Sequence, residues 1–211
     1  MKLSFIDNLI VEFDTALSTI FPPLTRNVTR PNPDQGIKEE PLTQEERQHS
    51  IGLMRVNHSG EVCAQALYQG QALVAAPTIQ AKLKEAQFEE VEHLAWCEKR
   101  LKDLSGSVSL LNPVWYLGSL VLGAGMGLLG SKISLGFVIE VERQVEAHLA
   151  SHLEKLPLKD KRSRAIVSVM QQDEALHRTK AKEAGGVEFP LWAQQLMQYT
   201  AKCMTYSSYY L

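Results

Sequence analysis

"FEEVEHLAWC", residues 88–97, places a carboxylate and an imidazole where a helix is otherwise apolar. Apolar residues recur every three or four positions around it, which predicts an amphipathic helix with one buried stripe. Glu90 and His93 occupy two positions of that stripe, between Ala86 and Cys97. A buried carboxylate without a partner costs several kcal/mol, so its neighbours must supply compensating groups. The stretch therefore predicts a buried polar site between packed helices.

The rest of the chain has the same helical period and no pattern typical of strands. Apolar spacing, a capping box of Thr43 with Glu46, and proline or glycine breaks predict helices over 2–20, 43–76, 78–104, 133–156 and 158–184. A last helix is expected to begin at Pro190. We therefore expect an all-α fold with an amphipathic N-terminal helix at 1–20, a proline-rich segment at 21–42 and a main domain at 43–211.

Composition narrows the classes of function. The 211 residues, 45% of them hydrophobic, suffice for one compact domain, and a net charge of -2 offers no basic field for nucleic acid. The three cysteines are scattered, without a C-x-x-C pair, which favours a reducing compartment such as the cytosol. The N-terminus lacks the basic region of a secretory signal, so no targeting peptide is expected.

Residues 105–131 form a segment without any charged side chain. Its length and apolarity are compatible with a transmembrane helix. Pro113 and several glycines dilute it, however, and a helix that lies in the bilayer surface or is buried in a bundle could have the same composition. The sequence leaves three alternatives open, namely a spanning helix, an interfacial segment and a buried crossover, of which we expect the interfacial, membrane-associated segment.

Three other predicted helices carry matching polar residues. Glu142 lies on the apolar stripe of its helix, Glu174 and His177 lie on another, and Glu61 borders a fourth. One Glu from each of two helices with a Glu-x-x-His from each of two others is the ligand set of ferritin-like di-iron carboxylate bundles. Glu90 follows Glu61 by 29 residues and Glu174 follows Glu142 by 32, as expected for two tandem hairpins. We therefore predict a ferritin-like four-helix bundle with a hydrophobic crossover helix, extra terminal helices and two iron ions.

Other polar residues on these helices receive different predictions. Glu46 and His49 also fit Glu-x-x-His, but Glu46 has a capping role and no partner motif lies one hairpin away. His148 lies off the stripe of Glu142, and we expect it to be an outer contact of the metal centre, a substrate contact or a bystander. We expect His152 at the surface and a set of charged residues of the second predicted helix on a solvated face, namely Glu89, Glu92, Glu98, Lys99 and Arg100.

Two irons held by four carboxylates and two imidazoles are suited to reducing O2. The ligand set does not by itself distinguish a monooxygenase from a desaturase, a peroxide scavenger or a ferroxidase. A ferritin-like iron-binding protein and a metal-free helical membrane adaptor are the competing hypotheses. The uncharged stretch argues against the first, because a storage cage needs a polar exterior.

Four stretches are similar to the demethoxyubiquinone hydroxylase family of bacterial type, di-iron monooxygenases of ubiquinone biosynthesis. They are LMRVNHSGEVCAQALYQGQAL (53–73), FEEVEHLAWCEKRL (88–101), VIEVERQVEAHL (138–149) and DEALHRTKAKEAG (173–185). The resemblance implies six iron ligands, which are Glu61, Glu90, His93, Glu142, Glu174 and His177.

The resemblance also implies the partners of the reaction. The substrates would be O2 and a polyprenylated methoxy-methyl-benzoquinol, and the enzyme would be peripheral on the cytoplasmic face of the cell membrane. Electrons would come from a separate reductase, from a reduced nicotinamide or from the quinol itself, since the chain has no dinucleotide-binding motif.

Overall fold

The computed structural model describes residues 4–211, apart from the side chains of Phe5, Asn8 and Leu9. Within that range the chain forms seven helices and no strand, which confirms the all-α prediction. The helices are α1 Phe5–Ile20, α2 Gln44–Val74, α3 Pro77–Asp103, α4 Asn112–Leu128, α5 Ser131–Lys155, α6 Lys161–Glu183 and α7 Leu191–Tyr210. Residues 1–3 of the predicted N-terminal helix lie outside the described part of the chain.

Capping residues set the helix ends. The Thr43 hydroxyl accepts a hydrogen bond from the backbone N–H of Glu46, and the Glu46 carboxylate accepts one from that of Thr43, so the predicted capping box begins α2. Pro77, which needs no N–H partner at a helix start, is the first residue of α3. The Asp160 carboxylate accepts from the backbone N–H of Ser163 at 3.0 Å, so α6 begins at residue 161 rather than 158.

Four helices form the ferritin-like bundle that the sequence predicted. Helix α2 packs against α3, α5 packs against α6, and the two hairpins meet through α3 with α6 and α2 with α5. One apolar cluster fills each end of the bundle, the first including Met54, Leu101 and Ile166 and the second Leu83 and Leu135. The six predicted ligand residues lie between these two clusters, and each of the four bundle helices carries at least one of them.

The uncharged segment contains α4, which packs along α2. Glycine makes this packing close, because a Cβ at Gly70 would collide with the carbonyl of Leu120, and one at Gly123 with that of Leu67. The opposite face of α4 is open, and Val121 is 65% exposed. Of the three alternatives for this segment, a fully buried crossover is therefore wrong for that face. Among the helices described, none combines the length and the apolarity that a membrane crossing requires.

The proline-rich segment lies against the bundle, where ion pairs tie it to α3. Arg26 pairs with Glu98 at 2.6 Å, and the buried Arg100 pairs with Glu39 at 2.8 Å. Glu92 is also buried and contacts the segment. The assignment of Glu92 and Arg100 to a solvated face is therefore wrong, because the period of α3 does not reveal what a distant segment covers.

The terminal helices leave apolar side chains uncovered. On α1, Ala16 and Ile20 pack against the bundle, whereas Ile6 and Phe13 from the predicted apolar stripe are each 66% exposed. Helix α7 likewise exposes Trp192 and several other large apolar residues. Helix α1 packs beside α4, and α7 touches α4 near its end, where the Trp115 indole N–H donates to the Ser208 hydroxyl.

Candidate metal centre

The structure brings the six predicted ligand residues together in the middle of the bundle. They come from α2, α3, α5 and α6, and each of their side chains is buried. The i, i+3 spacing of the two Glu-x-x-His pairs puts each histidine one helical turn from its own glutamate. Four carboxylates therefore surround two imidazoles in a water-poor core.

The first group of ligands lies around His93. Its Nδ1 atom is 3.1 Å from Glu90 Oε2, 3.2 Å from Glu174 Oε1 and 3.4 Å from Glu61 Oε2. One ligand atom from each of these four residues lies within 4.8 Å of all the others. Such spacing allows a single metal ion to contact all four.

The second group lies around His177 and shares two members with the first. His177 Nδ1 is 3.2 Å from Glu90 Oε1 and 3.2 Å from Glu174 Oε2, and Glu142 completes the four. Glu90 and Glu174 thus direct one carboxylate oxygen to each histidine. If a metal ion were bound in each group, Glu90 and Glu174 would be the residues that both ions share.

Burial favours protonation of two acids of the centre, and neighbouring carboxylates favour protonation of its imidazoles. Burial, together with the nearby Glu90 carboxylate, raises the pKa of Glu61, and burial with Glu174 does the same for Glu142. Burial opposes charge on His177, but its glutamate neighbours still raise its pKa to about 12. Metal ions would displace these protons, because a bound imidazole and carboxylate must be deprotonated.

The donor set fits a divalent metal. Glu90 Oε1 is fully buried and finds no hydrogen-bond partner of good geometry among the described residues. A buried carboxylate oxygen is costly unless a cation compensates it; the His177 imidazole, with Nδ1 at 3.2 Å, can do so here, and a bound metal ion would take over that role. Carboxylate oxygens with imidazole nitrogens, and no nearby thiolate in either group, suit iron or manganese better than a soft metal.

Two acids that the sequence analysis did not select hold the histidine rings. His93 Nε2 donates to Asp173 at 2.9 Å, and His177 Nε2 donates to Glu89 at 2.6 Å. Each acid directly precedes the glutamate of the other motif, so the signal Asp/Glu-Glu-x-x-His was present in the sequence. The assignment of Glu89 to a solvated face is wrong. With Nε2 held by an acid, each ring turns Nδ1 toward the ligand carboxylates, which is the nitrogen that would bind a metal.

Tyr68 is a further residue of the centre. Its buried hydroxyl donates a short hydrogen bond to Glu142 Oε1. Tyr68 lies two turns after Glu61 on α2, and the shared face of these two residues was visible in the sequence. The hydrogen bond fixes the orientation of the Glu142 carboxylate.

Two cavities reach the centre. One of about 340 Å³ is lined by Tyr68, His177 and apolar residues of α3, α5 and α6. The other, of about 270 Å³, lies between α2, α5 and α7 and touches both Glu61 and His148. His148 therefore shares a cavity with a ligand residue, and its role in substrate or outer contact stays a prediction. His152, expected at the surface, is buried against His148.

A four-helix bundle with this core defines a protein of the ferritin-like class with a buried carboxylate-and-histidine metal centre. A family model described as "Ubiquinone biosynthesis protein COQ7" matches residues 48–208. The chain therefore belongs to the COQ7 family of ubiquinone biosynthesis, and the resemblance predicted from the sequence is confirmed.

Similar proteins extend over nearly the whole chain. A 3-demethoxyubiquinol 3-hydroxylase of Legionella pneumophila strain Corby is 56% identical over 209 residues, which cover 99% of this chain and 98% of the relative. Proteins of the same name from Laribacter hongkongensis and Nitrosomonas europaea are 51% and 50% identical over 207 residues. The first of these alignments covers 98% of this chain and 100% of the relative, the second 98% and 99%.

Proposed function

We propose that the protein is an O2-dependent hydroxylase of demethoxyubiquinol that uses two iron ions. One observation carries the metal assignment. Glu90 and Glu174 each place one carboxylate oxygen near His93 and the other near His177. The names of the relatives support the substrate, a methoxy-methyl-benzoquinol with a polyprenyl tail. The same names favour a hydroxylase over an iron-storing ferroxidase with a similar ligand set.

Hydroxylation replaces one ring C–H bond with C–OH. One atom of O2 enters the ring and the other leaves as water, with two electrons and two protons from a donor. Bound iron would supply the redox chemistry with O2. The chain itself would hold the ions with the six ligand residues, orient the imidazoles through Asp173 and Glu89, and exclude bulk water.

An isotope experiment tests the reaction. Iron-loaded protein, a short-tailed demethoxyubiquinol, a reductant and ¹⁸O2 should yield a quinol that carries one ¹⁸O atom, detected by mass spectrometry. The Glu142→Ala protein should give no product under the same conditions. Oxidation of added Fe(II) without any ring product would identify a ferroxidase instead and contradict the proposal.

We further propose that the protein is peripheral on the cytoplasmic face of the cell membrane. The support is the apolar surface of α1, α4 and α7, where Phe13, Val121 and Trp192 are each about two-thirds exposed. Exposed apolar patches of this kind commonly mark interaction sites, and aromatic residues suit the headgroup region. A polyprenyl tail stays in the bilayer, so contact with lipid would give the quinol access to the cavities.

Charge on the open face of α4 tests the membrane proposal. Val121→Asp should weaken co-sedimentation with anionic phospholipid vesicles and slow turnover of the long-tailed quinol, while turnover of a short-tailed analogue is kept. Leu158→Asp is the matched control, because Leu158 is 81% exposed in the connection between α5 and α6. Leu120 is unsuitable, since it packs with Tyr116 in the core. Equal effects of Val121→Asp and Leu158→Asp would refute the assignment of α4 to the lipid surface.

A further inference from the structure

Arg30, in the proline-rich segment, reaches the outer side of the His93 ligand. Its Nη1 atom lies 2.9 Å from Asp173 Oδ2, the same oxygen that accepts the hydrogen bond of His93 Nε2. The Arg30 guanidinium also stacks over Trp96, with its carbon 4.8 Å from the ring centre. The Trp96 ring in turn packs on His93 at 5.3 Å. Arg30 thus contacts both groups that touch the back of the imidazole.

Glu92 fixes the position of Arg30. The backbone N–H groups of Thr29 and Arg30 each donate to Glu92 Oε1 at 3.0 Å, and the Thr29 hydroxyl donates at 2.6 Å. The Arg30 Nε atom donates to the other oxygen of the same carboxylate. Glu92 is 2% exposed, so these bonds form away from bulk water. Backbone and side chain of Arg30 are therefore both anchored on α3, unlike an ordinary surface ion pair.

The corresponding position beside His177 is built differently. Its partner Glu89 is paired with Lys180 of α6 at 3.1 Å. No residue of the proline-rich segment pairs with Glu89 in the part of the chain that the structure describes. The two side chains are similarly exposed, Lys180 to 43% and Arg30 to 38%, so the difference lies in the donor: Lys180 bears a flexible point charge, whereas the Arg30 guanidinium is a planar donor held by three neighbours.

We propose that Arg30 is a positioning residue of the metal centre, which acts through Asp173 on the His93 ring. A carboxylate that accepts from two fixed donors keeps one orientation, and the ring that it holds keeps its metal-binding nitrogen in place. The metal position of Glu61, Glu90, His93 and Glu174 therefore depends on the proline-rich segment, and the position that contains His177 does not. This segment lies outside the residues that the family model matches. The inference rests on the proposed binding of two metal ions.

The test compares Arg30→Gln with Arg26→Gln in the full-length protein. Arg26 anchors the same segment to α3 through Glu98, but its partners do not include Asp173. Two affinities are measured for each protein by competition of Fe(II) against a chromophoric chelator without oxygen, and Co(II) absorption reports the geometry of each position. Arg30→Gln should weaken one ion about tenfold and alter one of the two Co(II) signatures, while the other ion stays within about twofold. Arg26→Gln should leave both affinities and both signatures unchanged.

Coupling to Asp173 separates positioning from general support. Asp173→Asn should weaken the same ion, and Arg30→Gln should add less than about twofold in that background, because its route to His93 is already lost. Arg30→Lys should restore part of the affinity. Unchanged metal binding in Arg30→Gln, or equal losses at both positions in Arg30→Gln and Arg26→Gln, would overturn the inference. Failure of the wild-type protein to bind two ions would instead refute the proposed function.

Discussion

Two regions of the molecule carry the same Glu-x-x-His pattern and use it differently. In α3, Glu90 and His93 are both completely buried and face carboxylates from other helices. At the start of α2, Glu46 is only partly buried and caps the helix, while His49 Nδ1 lies 2.7 Å from the hydroxyl of Tyr209. The comparison shows that the pattern alone does not define a metal ligand. A metal-binding pair is distinguished by the burial of both its members and by a second acid that faces them from across the bundle.

The largest effect should follow a change at Glu174, which belongs to both groups of ligands. Glu174→Ala should remove both metal ions and abolish hydroxylation, while circular dichroism stays helical. Glu142→Ala, which touches one group, should abolish hydroxylation but retain part of the metal. Metal analysis and the quinol assay measure these outcomes. Full metal content in Glu174→Ala would contradict the claim that the buried motifs, unlike the motif at the start of α2, bind metal.

A smaller effect is expected where an acid holds a histidine from outside. Glu89→Gln should weaken metal binding about tenfold, because the Gln side chain no longer fixes the His177 imidazole with a charged acceptor. Glu85→Gln is the control, since Glu85 pairs with Lys180 at 3.4 Å and shows no hydrogen bond or ion pair to His177. Chelator competition measures both affinities. Similar affinities in the two variants would assign the role of Glu89 to surface charge.

The histidines of the metal centre and the buried His152 of α5 should respond to pH in opposite directions. Those of the metal centre have raised pKa values, whereas burial, with His148 and Lys155 nearby, lowers the pKa of His152 to about 2. Between pH 6.5 and 4.5 the unfolded chain binds a proton at His152 and the folded chain does not, so acidification destabilises the fold.

The cost attributable to His152 approaches about 1.4 kcal/mol per pH unit. Denaturant unfolding of wild-type and His152→Gln proteins, in the same metal state at several pH values, measures it as the difference in slope. Parallel pH dependences of the two proteins would show that His152 is already solvated in the folded state.

The smallest effect belongs to the surface motif. Glu46→Ala removes the acceptor of the Thr43 N–H and should cost about 1 kcal/mol of unfolding free energy. Metal content and hydroxylation should equal those of the wild type, and urea unfolding measures the stability. Loss of activity comparable to that of Glu142→Ala would show that the surface motif contributes to catalysis.

The features that were predicted correctly from the sequence are those that depend on the hydrophobic period of single helices. The helices, with ends shifted by a few residues, and the meeting of six polar positions both follow from which side of each helix is apolar. The hydrophobic period of a helix indicates which of its faces is apolar, but not which other segment packs on a given face. It therefore left Glu92 in solvent although Arg30 lies on it, and it did not show that Ile6 and Phe13 of the amphipathic helix α1 are exposed. Contacts between residues far apart in the sequence can be identified only from the three-dimensional structure.

The crossed bonds to the histidines have a consequence for folding. His93 of the first hairpin is held by Asp173 of the second, and His177 of the second by Glu89 of the first. Neither hairpin contains a complete set of ligands, so the metal positions form only when both have docked. The free energy of metal binding therefore stabilises only the docked state, because the separate hairpins lack the site. Metal uptake during refolding should accordingly lag behind helix formation and mark the moment at which the two halves join.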